Sequence, residues 1–186
     1  MITKEINSIV LRRRSWPIFF GIAITGLGIG VVMAVLKVAS LHGFRTGWQG
    51  IPVYLAAVAI LGRIVNCKVI LREKVLVVVN PLRTHIIPRR MVDDVVIEDD
   101  GTLEIHTGAG RKVAAFAFGG SLVDRVSGTS LRAKGDIGSW MNSGHVEKGE
   151  PEGVQVLWSR CAWADVSLLL CVVTAVVGGL WMILSG

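Results

Sequence analysis

The sequence predicts a membrane α+β protein in which three apolar helices anchor a small antiparallel β domain. Charged side chains make up only 18% of the 186 residues, whereas soluble domains usually carry roughly a quarter. These charges are unevenly spread, because three long stretches hold almost none of them. Between the second and third of these stretches, short valine-rich runs alternate with turn residues, which is typical of an antiparallel sheet.

The first predicted helix follows a short basic segment, residues 1–15, that contains Arg12-Arg13-Arg14. From Trp16 to Leu36 no charged residue occurs, and such a run is long enough to cross a hydrocarbon core of roughly 30 Å. A cleavable signal peptide has a shorter apolar region of about 7–15 residues. We therefore expect a retained first span over about residues 16–38.

The second predicted helix runs from Trp48 to Gly62 and extends past Arg63 to Val65. Its uncharged part is close to the lower length limit for a span, and the Arg63 side chain can extend to the interface. Together with the first span it forms a predicted helical hairpin over residues 16–65, whose second arm covers about residues 48–65.

The β domain is predicted over residues 66–126, as an antiparallel sheet or small barrel. Its strands are expected at Cys67–Leu71, Lys74–Val79, Thr84–Ile87, Val92–Glu98, Thr102–Thr107 and Arg111–Phe118. Asp99-Asp100-Gly101 has the composition of a hairpin turn, and Phe116 and Phe118 are expected on one face of the last strand. Ser121 is expected to cap a short helix.

The stretch from residue 127 to 153 is rich in glycine, serine and charge. We expect a linker over residues 127–161, with Trp140 and Met141 packed back onto the sheet. The third apolar run, residues 162–184, is the third predicted transmembrane helix. Asp165 lies near its start, where a negative charge opposes the positive end of the helix dipole.

Lysine and arginine are concentrated before the first span, after the second and before the third. The positive-inside rule then places the N-terminus and the β domain in the cytoplasm and the C-terminus outside it, in a multi-pass plasma-membrane protein. The same rule accounts for the net charge of +6 and the pI of about 9.7. Because no zinc-finger, RNA-recognition or helix-turn-helix pattern accompanies this charge, we expect no nucleic-acid partner.

Three runs of sequence resemble the bacterial pleckstrin-homology-like (PH-like) domains of small actinobacterial membrane proteins. The runs are Arg12-Arg13-Arg14-Ser15-Trp16-Pro17, then Val79-Asn80-Pro81-Leu82-Arg83-Thr84 followed by Ile87-Pro88, and Gly110-Arg111-Lys112-Val113-Ala114-Ala115-Phe116-Ala117-Phe118-Gly119-Gly120. The resemblance extends from the first span to Gly120. It implies a small, strongly bent β-sheet or barrel that a C-terminal helix closes at one end.

Two glycines in the first predicted span, Gly26 and Gly30, form a GxxxG pattern on one helix face. Small residues at this spacing let another helix approach closely. We therefore expect helix packing at these two positions, within the chain or between copies in a homo-oligomer. The run Gly26-Leu27-Gly28-Ile29-Gly30 superficially matches a dinucleotide-binding loop, but it lies inside an apolar helix and not between a strand and a helix.

The residue types that usually support catalysis or metal binding form no recognisable motif, so we expect no catalytic residue, metal or cofactor. Asp93-Asp94 and Glu98-Asp99-Asp100 are paired carboxylates of the kind that acid–base chemistry uses, but Asp99-Asp100-Gly101 is typical of a hairpin turn, and the turn is the favoured interpretation. The cysteines are scattered and contain no CxxC pair. The histidines fall in different elements and are expected to be solvated; they are His42, His85, His106 and His145.

Seven basic residues form a candidate rim facing anionic lipid, each contributing about 1 kcal/mol of attraction near a charged bilayer surface. They are Arg12, Arg13, Arg14, Arg63, Lys68, Arg89 and Arg90. Topology alone also explains the basic residues next to the spans, so both interpretations stay open.

The expected function is that of a non-enzymatic membrane protein whose PH-like domain acts as a tethered docking or scaffold module. Besides the lipid bilayer, its partner would be a protein or peptide engaged at a sheet edge. The alternative is a small transporter or channel subunit assembled by helix packing, which requires a polar path through the spans. The near absence of ionisable side chains inside the predicted spans disfavours this alternative.

Overall fold

The computed structural model describes residues 8–13, 15–108, 110–119, 128–143 and 153–184. Its helices are α1 (Ser15–His42), α2 (Phe44–Gly47), α3 (Gly50–Val65), α4 (Thr129–Asn142) and α5 (Ala162–Leu184). Its strands are β1 (Ile9–Leu11), β2 (Lys68–Leu71), β3 (Val75–Val79), β4 (Arg83–Pro88), β5 (Val92–Ile97), β6 (Leu103–Thr107), β7 (Lys112–Ala115) and β8 (Gln155–Trp158). Short 3-10 turns occupy Arg89–Met91 and Phe116–Phe118.

The described chain divides into two compact units. The β unit comprises the described residues of Met1–Arg13 and Asn66–Ser159, and the helical unit comprises those of Arg14–Val65 and Arg160–Gly186. Helices and antiparallel sheets are both present, so the predicted α+β class is confirmed. The predicted helix cap Ser121 lies outside the described residues.

The β unit is built from two antiparallel sheets. One has the strand order β1-β2-β3-β4-β8 and the other the order β5-β6-β7. The predicted Asp99-Asp100-Gly101 turn joins β5 to β6, and Gly101 has a φ of 88°, which glycine tolerates because it has no Cβ. Within the described residues the two sheets stay separate and do not close into a barrel.

The core of the β unit follows from strand alternation. In β6 the side chains of Leu103 and Ile105 are buried, while Glu104 and His106 lie on the opposite face. Both sheets contribute to one apolar cluster, which Leu76 of β3 also joins. Burial of each such aliphatic side chain contributes roughly 1.5–3 kcal/mol to folding.

Helix α4 packs on this core, which corrects the prediction of a linker over residues 127–161. Ala133, Ile137 and Trp140 are buried in the same cluster as the strands, at the spacing of one helix face. The predicted packing of Trp140 and Met141 against the core is confirmed. The glycines and serines between the buried positions lower the helix propensity, and this composition concealed the helix.

Two strands of the larger sheet come from segments that the sequence analysis placed outside the β domain. β1 belongs to the predicted basic segment, residues 1–15, and pairs with β2, where Ile9 lies opposite Leu71. β8 belongs to the predicted linker and pairs with β4. The predicted limits of the domain, residues 66–126, are therefore too narrow, because strands of three or four residues give little periodic signal.

The end of β7 also differs from the prediction. Phe116 and Phe118 lie in a 3-10 turn, where side chains two residues apart point in different directions. Phe118 is buried and Phe116 is exposed, so the prediction that both lie on one strand face is wrong. The Asn80 side chain holds this turn, because its oxygen accepts a hydrogen bond of 2.9 Å from the Phe116 N–H.

In the helical unit, α1 and α5 are long and apolar enough to cross a membrane, by length and composition. Helix α3 is also apolar but has only 16 residues. Gly43 ends α1 with a φ of 77°, and its N–H donates to Ala39 O, the arrangement of a left-handed helix cap.

Helix α3 packs against both of the longer helices. The Tyr54 hydroxyl donates to Ile24 O of α1 at 3.4 Å. Further along α3, Gly62 lies beside Ala164 of α5, at a distance that a Cβ would fill with ordinary contact. Small residues at these crossings allow the helix backbones to approach closely.

Candidate functional site

Strand β8 forms one edge of the larger sheet, and all four of its residues are exposed. Its partner β4 fixes the register, with Arg83 opposite Trp158. Just after β8, the Ser159 N–H donates to Leu82 O at 3.0 Å, which continues the pairing into the adjoining turn. The edge of a sheet carries backbone N–H and C=O groups that can pair with another strand.

The side chains of β8 are unusually apolar for an exposed edge. Val156, Leu157 and Trp158 are 43%, 52% and 63% exposed, and the neighbouring Leu82 is 54% exposed. Proteins usually protect an edge strand with charge or proline, and β8 contains neither. Exposed apolar patches are often sites of contact with a protein or a membrane.

His85 lies on β4, opposite Val156 of β8 and Val78 of β3. Burial lowers the pKa of His85 below its ordinary value of 6.5, and the charges of Arg83 and Arg111 lower it further. Its Nδ1 atom is buried and has no hydrogen-bond partner among the described residues. These effects favour the neutral ring, and the side chain is half-buried rather than fully solvated as the sequence predicts.

The outward surfaces of α1 and α5 are almost entirely apolar and exposed within the chain. The most exposed large side chains include Ile18, Phe19, Ile22, Met33, Leu169, Val177, Ile183 and Leu184. In water, each Å² of such surface costs roughly 25 cal/mol. A hydrocarbon environment removes this cost, because it offers the same apolar contact as a protein core.

The glycines of α1 divide into packed and unpacked positions. A Cβ on Gly28 would lie 2.9 Å from the Tyr54 hydroxyl oxygen, so any larger residue there would displace the Tyr54 side chain. A Cβ on Gly26 or Gly30 would meet no neighbouring atom of the described chain within 4 Å. The close approach within the chain therefore uses Gly28, and packing at Gly26 and Gly30 stays a prediction for contacts between copies.

A second packed glycine that the sequence analysis missed is Gly178 on α5. The Trp48 ring lies so close to it that an added Cβ would overlap the ring atoms. A Cβ on the adjacent Gly179 would meet nothing within 4 Å among the described residues. The sequence shows two glycines in an apolar run, but this pattern alone does not identify which of them faces another helix.

An ion pair joins the last turn of α3 to the first turn of α5. Arg63 Nη2 lies 2.6 Å from Asp165 Oδ1, and the Arg63 side chain is only 12% exposed. The other carboxylate oxygen of Asp165 accepts from the Cys161 N–H at 3.3 Å, which caps α5. From the sequence, the Arg63 side chain is expected to extend to the membrane interface and Asp165 to oppose the positive end of the α5 dipole. The structure instead brings the two side chains together in one ion pair.

The residues of the candidate basic rim have different surroundings. Arg12 and Arg90 are exposed, Lys68 is half-buried and Arg13 is buried. Arg14 lies outside the described residues. Arg12 and Arg90 are thus the described members with most access to a lipid surface, and contact by the rim as a whole stays a prediction.

The contacts of Arg63 and Arg89 within the protein orient their side chains. Arg63 is paired with Asp165. The Arg89 guanidinium lies over the Trp140 ring, 4.7 Å from its centroid, and the Trp140 Nε1–H donates to Arg72 O at 2.8 Å. Such a cation–π contact favours a stacked guanidinium over one that extends to lipid.

A cluster of titratable side chains lies on the outer face of β6. Glu104 and His106 are two residues apart on this strand, and Lys112 of β7 lies opposite His106. His106 Nε2 is 3.5 Å from Glu104 Oε2, and Lys112 Nζ is 3.7 Å from the same oxygen. The ligand atoms of Glu98, Glu104 and His106 all lie within 4.8 Å of one another.

From the sequence, Glu98 is expected beside a turn and His106 is expected to be solvated. The alternation of β6 does place Glu104 and His106 on one face. Glu98 and Lys112 come close to Glu104 and His106 only because β6 pairs with β5 and β7. The sequence alone therefore does not reveal the whole cluster.

No protein-family model, no curated protein and no solved structure matches this chain. The exposed edge strand and the apolar helix surfaces are thus the features from which its function is inferred.

Proposed function

We propose that this chain is a multi-pass membrane protein whose β unit is a non-catalytic docking module for an extended segment of a partner protein. The proposal depends mainly on the exposed apolar surface of β8. This edge strand exposes Val156, Leu157 and Trp158, and it is connected to the apolar helix α5 by a short segment.

The exposure of apolar surface on α1 and α5 supports a location in the membrane. A soluble protein would bury such helices in its core, but hardly any residue in the most apolar windows of these two is buried. Each is long enough to cross a hydrocarbon core of about 30 Å. Lipid chains would therefore cover the surface that the protein leaves open.

The pairing of β1 with β2 supports a second crossing, by α3. β1 precedes α1 and β2 follows α3, yet Ile9 and Leu71 are partners in one sheet, so both strands lie on the same side of any membrane. A chain that leaves this side through α1 must return before β2, and α3 is the apolar helix between them. Its 16 residues span about 24 Å, and local thinning of the bilayer accommodates the difference.

The position of β8 supports a third crossing, by α5, and the basic residues near the spans support an orientation. β8 pairs with β4, so the chain is still on the side of the β unit before α5 begins. Basic residues flank the spans on this side, among them Arg12, Lys68, Arg72 and Arg160. By the positive-inside rule this side is the cytoplasm, which places the end of α5 outside it.

The order of elements supports a PH-like assignment for the β unit. Strands β2 to β7 form two antiparallel sheets, and α4 follows them in the chain and buries Trp140 in their core. This is the position that the resemblance implies for a closing helix. β1 and β8 would then be additions that extend one sheet at both of its edges.

Strand addition explains how β8 would hold a partner. The backbone groups of an edge strand give affinity, and alternate side chains give specificity. Val156 and Trp158 point to one face of the sheet and Leu157 to the other. An added peptide strand would therefore cover apolar side chains on both faces.

A photo-crosslinking amino acid in place of Leu157, in membranes of the native host, tests this proposal. We expect a covalent adduct with one protein, mapped by mass spectrometry to a short segment without helical periodicity. Val156→Lys in the same chain should abolish the adduct, because an exposed charge on an edge strand opposes strand addition.

The matched control is the same crosslinker in place of Leu131, which is an exposed leucine of α4 in the same unit. It should give no such adduct. Adducts with lipid alone at position 157 would contradict the proposal and would identify β8 as a membrane-contacting strand. An adduct that persists with Val156→Lys would also contradict strand addition.

A transport function finds less support in the described spans. The charged side chains of α1, α3 and α5 are Lys37, Arg63 and Asp165, and each lies within about two turns of a helix end. Arg63 and Asp165 also neutralise one another. A permeation path usually requires ionisable or polar groups at mid-depth.

A further inference from the structure

We infer that Glu98, Glu104 and His106 form a binding site for one divalent transition-metal ion, of which Zn²⁺ is the best-fitting example. This inference is independent of the proposed docking function, because the cluster belongs to the three-stranded sheet and β8 to the other sheet. It departs from the sequence-based expectation that the protein binds no metal.

The distances between the ligand atoms fit a metal site. In a tetrahedral site with Zn–N and Zn–O bonds of about 2.1 Å, neighbouring ligand atoms are about 3.4 Å apart. His106 Nε2 and Glu104 Oε2 are 3.5 Å apart, so one ion can bind both without movement of the β6 backbone. Glu98 has its ligand atom within 4.8 Å of the other two, and its side chain is 43% exposed, so a side-chain rotation completes the set.

The state of these atoms points to a missing partner. Glu104 Oε2 and His106 Nε2 are shielded from solvent and form no hydrogen bond among the described residues, although they lie 3.5 Å from each other and Glu104 Oε2 lies 3.7 Å from Lys112 Nζ. Buried polar atoms are nearly always hydrogen-bonded, and exceptions often mark an ion or water site. One cation between the two atoms would satisfy both of them.

Lys112 explains how the two carboxylates are tolerated when no ion is bound. Its Nζ lies 3.7 Å from Glu104 and 3.9 Å from Glu98, close enough for electrostatic attraction but too far for a hydrogen bond. The Lys112 side chain is 60% exposed and can move into solvent. Lys112 is therefore a competitor of the metal ion for the same carboxylates.

The donor set selects the class of ion. An imidazole nitrogen with two carboxylate oxygens favours Zn²⁺ or another first-row ion over Ca²⁺ and Mg²⁺, which prefer oxygen ligands alone. Three protein ligands leave the fourth position to water or to a group from a partner.

Titration of the purified full-length chain in detergent with Zn²⁺, after removal of metal by a chelator, tests the site. The wild-type chain is expected to bind one ion at this site and to show a Zn²⁺-dependent rise in melting temperature, because a ligand that binds the folded state stabilises it. His106→Gln and Glu104→Gln should each weaken binding by about tenfold or more. Lys112→Met should strengthen binding, because it removes the competing charge.

Glu73→Gln is the matched control, because it removes an exposed carboxylate from a different turn; the affinity should not change. Co²⁺ in place of Zn²⁺ identifies the ligand type, since thiolates add an intense charge-transfer band that nitrogen and oxygen ligands lack. Unchanged affinity in His106→Gln and Glu104→Gln would overturn the inference. Weaker binding of Zn²⁺ by Lys112→Met, a thiolate band with Co²⁺, or the absence of saturable binding by the wild-type chain would also overturn it. A gain in affinity by Lys112→Met cannot arise from misfolding, so this variant distinguishes a metal site from a general loss of structure.

Discussion

His85 shows how the position of one side chain makes the stability of the β unit depend on pH. Burial and the charges of Arg83 and Arg111 lower its pKa in the folded chain below the ordinary value of 6.5. As the pH falls below that value, the unfolded chain takes up a proton that the folded chain does not. The free energy of unfolding therefore decreases between the ordinary pKa and the lowered one, and His85 makes no contribution to pH dependence above this window.

We expect His85→Gln to reduce the loss of stability on acidification. Glutamine carries no charge in either state, so the variant should lose less stability than the wild-type chain between about pH 7.5 and about pH 5.5. Thermal unfolding followed by tryptophan fluorescence, to which the core residue Trp140 contributes, measures this. Equal losses in both proteins would show that the folded and unfolded chains bind protons equally at residue 85.

The Arg63–Asp165 ion pair is a contact that the sequence does not predict when each residue is considered by itself. Each residue lies at the end of an apolar run, and the sequence gives a sufficient local reason for each, interfacial extension for Arg63 and dipole compensation for Asp165. Their pairing depends on how α3 and α5 cross, which is set by small residues such as Gly62 and Ala164. Charge pairs far apart in the sequence are therefore found only when the helix packing is known.

At the scale of elements, the packing of α5 depends on which of two adjacent glycines faces Trp48. We expect Gly178→Ala to destabilise the helical unit by about 1–3 kcal/mol, because the new methyl group forces the Trp48 ring to move. Gly179→Ala adds the same methyl group where no neighbour lies within 4 Å among the described residues, so it should have little effect. Unfolding in mixed micelles compares the two variants, and equal stability would show that Trp48 does not pack on Gly178.

The elements that the sequence predicted best are those with a strong period. Strands β2 to β6 lie within about two residues of their predicted limits, because valine runs and alternation are local signals. Helix α4 was missed, because glycine, serine and charge surround Ala133, Ile137 and Trp140. β8 was missed because its apolar residues lie in a segment that composition identified as a linker, and its strand conformation depends on β4.

At the scale of the whole molecule, the β unit is assembled from segments that are separated by helices in the chain. Residues 8–13 supply β1, whereas residues 153–159 supply β8. An excision at the predicted limits, residues 66–126, would remove both edge strands and the helix that buries Trp140. The candidate metal cluster was missed for a similar reason, since Glu104 and His106 belong to β6 and Glu98 follows the end of β5, so no single segment contains a motif.

The membrane topology makes a prediction that concerns the whole chain. Because β1 and β2 are paired, α1 and α3 must either both cross the bilayer or both remain on one side. Cysteine in place of Thr46, between these helices, should react with a membrane-impermeant maleimide in intact cells, whereas Lys134→Cys on α4 should react only after the cells are permeabilised. Both positions are exposed in their own unit, so a failure to react shows that the membrane blocks the reagent and not that the residue is buried. The unsubstituted chain measures the background reaction of the native cysteines. Equal reactivity of the two positions in intact cells would place them on one side and would show that the hairpin does not cross.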